Sequence, residues 1–163
     1  AEEDGWAPLH ISAREGYKVI AGLLLKHDAD VNQATKDGRT SLHIAAEEGH
    51  NDLAGLLLEH NADVNQAMKS GSTPLIAALD FGHTDTAEVL LEHNADVNRA
   101  EEDGWAPLHI SAREGYKVIA GLLLKHDADV NQATKDGRTS LHIAAEEGHN
   151  DLAGLLLEHN ADV

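Results

Sequence analysis

Apolar residues in this chain fall into two kinds of cluster that alternate along its length. Between Asp37 and Lys69, Leu42, Ala45 and Ala46 recur at three- and four-residue spacing, which predicts one buried helical face. Beyond Gly49 comes a broader stripe, Leu53, Ala54, Leu56, Leu57 and Leu58, which predicts a second helix. The polar segments between clusters are built for turning. Lys36–Thr40 centres on Asp-Gly, a pair that tolerates positive φ and favours a tight hairpin. Thr40 can cap the first helix with its hydroxyl, and the prolines of sister segments (Pro8, Pro74, Pro107) suit the first helical position. Gly49 stops that helix, Asn51 or Asp52 can cap the next, and His60-Asn61 ends it in the left-handed conformation. Each helix is about ten residues or fewer, marginal on its own in water, so its leucines must be buried against neighbouring units.

That pattern recurs every 33 residues, and the block Ala1–Val64 returns letter for letter as Ala100–Val163, offset by 99. The repeats run approximately over 4–36, 37–69, 70–102, 103–135 and 136–163, and are expected to form a single stacked array over 1–163. In such a chain function sits on a surface made of equivalent positions, rather than in one unique residue.

The Asp-Gly turn, the Thr-x-Leu-His box (Thr40 to His43), the Gly-His between helices, the Leu-Leu-Leu run and the "NADVN" exit resemble the ankyrin repeat. The resemblance covers the whole chain. It implies an all-α helical solenoid of stacked helix-turn-helix repeats with projecting hairpin loops. It also implies a non-enzymatic role in binding other proteins through the hairpin tips and the concave first-helix face. The box is incomplete in places. Ala7 stands where a capping threonine belongs, Ser41 replaces the proline, and Ile76 replaces the histidine. The resemblance gives that histidine a hydrogen-bond network within and between repeats, expected in full only where Thr40 meets His43 and Thr139 meets His142. Gly22, Gly55, Gly121 and Gly154 sit inside second helices, each at a cost of about 1 kcal/mol relative to alanine. The asparagine of each "ADVN" exit (Asn32, Asn65, Asn98, Asn131) is expected to hydrogen-bond its own loop.

Composition narrows the function. Twelve Lys and Arg face 29 Asp and Glu, a net charge of −17. Nucleic acid and anionic membrane are therefore excluded as expected partners, while a basic protein fits. Cysteine is absent and no apolar run approaches the length of a membrane span, in keeping with an intracellular or engineered chain. The 12 histidines fall into three periodic classes: His10 and equivalents in the box, His50, His83 and His149 after the inter-helix glycine, and His27 and equivalents at second-helix ends. Their spacing suits structural roles, since neighbouring rungs lie too far apart to share a metal ion. Acidic pairs such as Glu2-Glu3 and Glu47-Glu48 are solvated, and no nucleophile–base constellation appears, so no enzyme, cofactor or metal site is expected.

The expected contact surface combines hairpin tips and first-helix ends. Its candidates are Trp6, Arg14, Lys36, Arg39, Glu47, Lys69, Asp80, Phe81, Trp105, Arg113, Lys135 and Arg138, beside Glu3 and Asp4 at the first tip. Trp and Arg are the types most enriched among binding hot spots. The competing role for each tryptophan is to lie flat on the next hairpin, inside the scaffold. The competing function is a structural or engineered array without a native ligand. The first repeat matches an internal one and the last is cut short, so end-to-end self-association through uncapped faces is also expected.

Overall fold

The computed structural model describes residues 5–163, and among them it contains ten helices and no strand beyond one isolated bridge, Ala133 to Thr139. The helices come in pairs: α1 (Pro8–Glu15) with α2 (Lys18–Lys26), α3 (Ser41–Glu47) with α4 (Asn51–Glu59), α5 (Pro74–Asp80) with α6 (Thr84–Glu92), α7 (Pro107–Glu114) with α8 (Lys117–Lys125), and α9 (Ser140–Glu146) with α10 (Asn150–Glu158). They belong to two compact units, Ala1–Ala95 and Asp96–Val163. In the first unit α1, α3 and α5 pack in sequence and α2, α4 and α6 pack beside them. In the second, α7 packs on α9 and α8 on α10. The fold is the all-α helical repeat that the periodicity predicted.

Packing on several sides explains the small first helices. In α3 every residue from Ser41 to Ala46 is buried, because α1, α4 and α5 all lie against it. Ala45 and Ala46 let those neighbours approach closely. Helix α4 is one-sided: Leu53, Ala54 and Leu57 are buried while Asp52 and Glu59 are exposed. The left-handed exit appears where expected at Asn61 (φ 63°), and Asp28 holds the same conformation one repeat earlier (φ 62°). The histidine before such an asparagine has a structural role. His60 Nδ1 donates to Leu56 O at 2.9 Å and His93 Nδ1 to Val89 O at 2.8 Å, satisfying carbonyls that a helix end would orphan.

Two sequence expectations need correction. Neither Asn51 nor Asp52 caps α4. The helix begins after His50, without a side-chain cap, and Asn51 Oδ1 accepts only from its neighbour Asp52 N at 2.8 Å. The turn is held instead by backbone bonds, His50 N to Ala45 O at 2.9 Å and Asn51 N to Gly49 O at 3.1 Å. The His50 side chain reaches back to the preceding repeat, its Nε2 donating to Arg14 O at 3.1 Å.

Asn32 and Asn98 do not close their own loops either. Asn32 Nδ2 donates to Asn61 O at 3.2 Å, and Asn32 Oδ1 accepts from Asp63 N at 2.7 Å, so it ties one exit to the next. The second unit repeats this between Asn98, Asp127 O and Asp129 N. The own-loop role falls to the aspartate two residues earlier, with Asp30 Oδ1 accepting from Asn32 N at 3.0 Å. Asn32→Ala removes both ties, and should lower stability in urea denaturation by about 1–2 kcal/mol. A change within error would show the ties to be fully replaceable by water.

Candidate binding face

In the second and fifth repeats one threonine and one arginine join the hairpin tip to the end of the first helix. The hairpin at residues 35–39 closes by Thr35 N to Arg39 O at 2.9 Å, and the buried Thr35 hydroxyl donates to the Asp37 carboxylate. That bond, more than any other influence, holds the Asp37 carboxyl below its ordinary range. Successive tips are linked by Lys69 N to Asp37 O at 3.1 Å, and in the second unit by Lys135 N to Asp103 O at 2.9 Å. Arg39 then bridges tip and helix: Nε lies 2.8 Å from Asp37 Oδ2, and Nη1 lies 3.2 Å from Glu47 Oε2 at the end of α3. Burial pushes the Glu47 carboxyl up, and the Arg39 guanidinium pulls against that shift.

Trp6 is half-buried in this arrangement. Arg14 of its own repeat lies 5.2 Å from the ring centroid and Arg39 of the next hairpin 5.9 Å, while the ring edge meets His10 at 5.9 Å and 68°. Trp105 in the second unit has the same neighbours, Arg113 at 5.2 Å, Arg138 at 5.6 Å and His109 at 6.1 Å. Each tryptophan therefore fastens one hairpin to the next and still leaves part of its surface to solvent. Cation–π pairs this exposed contribute about 0.5–1 kcal/mol each. Arg14 and Arg113 are also paired with the neighbouring Glu15 and Glu114.

Phe81 is different. It follows the last residue of α5 and is 63% exposed. Asp80 beside it is exposed, and so is Glu48, which holds the position of Phe81 one repeat earlier. Lys36, Lys69 and Lys135 stand exposed at their tips. The candidates thus lie in two groups: Trp6, Arg14, Lys36, Arg39, Glu47, Lys69, Asp80 and Phe81 in the first unit, and Trp105, Arg113, Lys135 and Arg138 in the second. Glu2, Glu3 and Asp4 lie outside the described residues.

The box histidines lie beneath this face. His43 is fully buried. Its Nδ1 accepts from Thr40 N at 3.1 Å and lies 2.9 Å from the Thr40 hydroxyl, while Nε2 donates to Ser72 O at 3.3 Å. Burial pushes its pKa down to about 4, against the opposing pull of the Ser72 carbonyl. His10 is also more completely bonded than the missing threonine suggested. Its Nδ1 accepts from Ala7 N at 2.9 Å and its Nε2 donates to Gln33 O at 2.9 Å, because the backbone amide supplies what the absent hydroxyl does not. Sequence reasoning missed the arginine bracket on each tryptophan. Its only sequence signal is that Arg14 and Arg39 lie 8 and 33 positions after Trp6.

Among the described residues no group of three or more His, Cys, Asp or Glu is placed to hold a metal ion, and no helix is long and apolar enough to cross a membrane. A family model described as ankyrin repeats (three copies) matches residues 1–68, 35–101, 65–134 and 98–163, which together span the chain. No curated protein matches the chain.

Proposed function

The chain belongs to the ankyrin-repeat family, whose repeats generally mediate protein–protein interaction, and from that premise we propose that it binds a partner protein through its hairpin tips and first-helix ends. The partner presents a basic segment. Phe81 carries this reading: a large aromatic ring, 63% exposed, flanked by Asp80 and in register with Glu48. An aromatic face beside carboxylates suits a lysine or arginine, which stacks on the ring while its charge meets the acids. The net charge of −17 steers such a partner inward at low salt. Within the same unit, the half-buried Trp6 stiffens the first two hairpins and offers its remaining surface to the ligand.

A displayed library of random peptides tests this. Peptides enriched on the chain should be rich in Lys and Arg, bind more weakly as salt rises, and lose about ten-fold or more in affinity on Phe81→Ala, a change of at least ~1.4 kcal/mol. Glu48→Lys should weaken the same peptides. Enriched peptides indifferent to both substitutions would overturn the assignment of this face.

A further inference from the structure

The ends of α1, α3 and α5 stand side by side in register. His50, just beyond α3, packs its ring on Gly16 beyond α1 and donates from Nε2 to Arg14 O at 3.1 Å. The His83 ring beyond α5 packs in the same way on Gly49 beyond α3. The residue before each inter-helix glycine is therefore stacked on its counterparts, and Glu15, Glu48 and Phe81 form one row across the first unit. All three are exposed. The exposure belongs to the position. Glu48 is open to solvent although its helix is packed between α1 and α5, and Glu114 and Glu147 hold the same position in the second unit and are exposed too.

Each member of the row closes a first helix, where the partial negative charge of the backbone favours a cation. A carboxylate is unfavourable there on its own, so a cation from a partner relieves it. Two members carry carboxylates, and the third offers an aromatic face that attracts the same ligand groups. Nearby arginines do not fill the row. Arg39 is held by Asp37 and by Glu47, the residue before Glu48. Arg14 pairs with Glu15 at 2.9 Å, but both side chains are half-exposed, and a surface pair is weak enough to be shared with a ligand's cation.

Spacing then selects the ligand's conformation. Helices packed side by side lie about 8–10 Å apart, so the row presents one anchor at each such step. A polyproline II segment returns to the same face at every third residue, over about 9 Å. A β-strand returns at every second residue, over about 7 Å, and falls progressively out of step. Polyproline II is also largely ordered before binding, and its prolines pack on aromatic rings. Resting on the basic-partner reading above, we propose that the partner's segment is a polyproline II helix laid across α1, α3 and α5. A lysine or arginine at every third position meets Glu15, Glu48 and Phe81 in turn.

Fluorescence anisotropy of labelled synthetic peptides on the full chain tests the spacing. The first peptide repeats Arg-Pro-Pro three times. The second has the same composition with its arginines consecutive. The third repeats Arg-Gly-Gly three times and is not ordered beforehand. The first should bind about ten-fold more tightly than either, or better. Its central arginine meets Glu48 whichever way the peptide runs. Glu48→Gln should therefore weaken the first peptide by about three-fold, and have no effect once that arginine is replaced by alanine. Glu48 and Phe81 are exposed, so their variants leave the core untouched, which circular dichroism checks. Equal affinity for all three peptides, each weakened by Phe81→Ala, would overturn the spacing and keep the basic-partner reading. No binding of any of the three would overturn both. Tighter binding of a helical peptide with arginine at every seventh position, about 10 Å apart, would place an α-helix on the row and overturn the proposal.

Discussion

Gly49→Ala should destabilise the first unit by roughly 2–4 kcal/mol, measured by urea denaturation. Two effects add. Gly49 has φ 74°, a left-handed conformation that strains any side chain. A Cβ there would also lie 2.4 Å from the His83 ring, too close to coexist with it. His83 follows the next inter-helix glycine, so displacing its ring disturbs the contact between successive helix pairs. The control lies six residues on. Gly55 has no atom within 4 Å of a placed Cβ and an ordinary helical backbone, so Gly55→Ala should stabilise by about 0.5–1 kcal/mol. The double substitution Gly49→Ala with His83→Ala should cost less than the sum of its parts, since the clash needs both partners. Equal effects of Gly49→Ala and Gly55→Ala would mean that the ring contact carries no energy.

Acid should act through the buried box histidines. With His43 at about 4 in the folded state and near 6.5 when unfolded, both states are neutral above pH 6.5 and stability is then at its full value. As pH falls from 6.5 towards 4, the unfolded chain takes up a proton that the folded chain refuses. Stability is lost across that window, by about 3 kcal/mol from His43 alone on reaching pH 4. Burial lowers the pKa of His10 and His109 in the same direction, so they add to the loss. Denaturation at pH 7, 5.5 and 4 measures the slope, and the imidazole signals of His43 should remain those of a neutral ring until about pH 4. Titration of His43 near pH 6.5 in the folded protein would remove this account of acid sensitivity.

The helices themselves were legible in the sequence because their causes are local. Gly49 and Asn61 end their helices by φ preference alone, and Leu42, Leu53 and Leu57 are buried by periodicity. What escaped depends on the repeat before or after. Asn51 looked like a cap because its type favours caps, but the turn before α4 is closed by backbone bonds while His50 reaches back to Arg14. Asn32 looked like a residue that bonds its own loop, yet its partners are 29 and 31 positions away. Trp6 was placed at a tip by pattern, whereas its bracket needs Arg39 from the following hairpin. Of the candidate site, Phe81 was readable as exposed because nothing at its position in other repeats is apolar: Glu15, Glu48, Glu114 and Glu147 stand there.

The asparagine ties and histidine clasps also bear on how the chain acquires its shape. Asn32 to Asn61, His43 to Ser72, and His50 to Arg14 join residues only 29 to 36 positions apart. Within each unit, adding a helix pair to one already formed therefore closes a loop of about one repeat, with nearly the same entropy loss at every step. Such short-range closure favours rapid folding, from whichever pair orders first and onwards to its neighbours. A defect at one interface, as in Gly49→Ala, should then appear as an interruption in the spread of order and a local acceleration of amide hydrogen exchange, while the more distant pairs retain their protection.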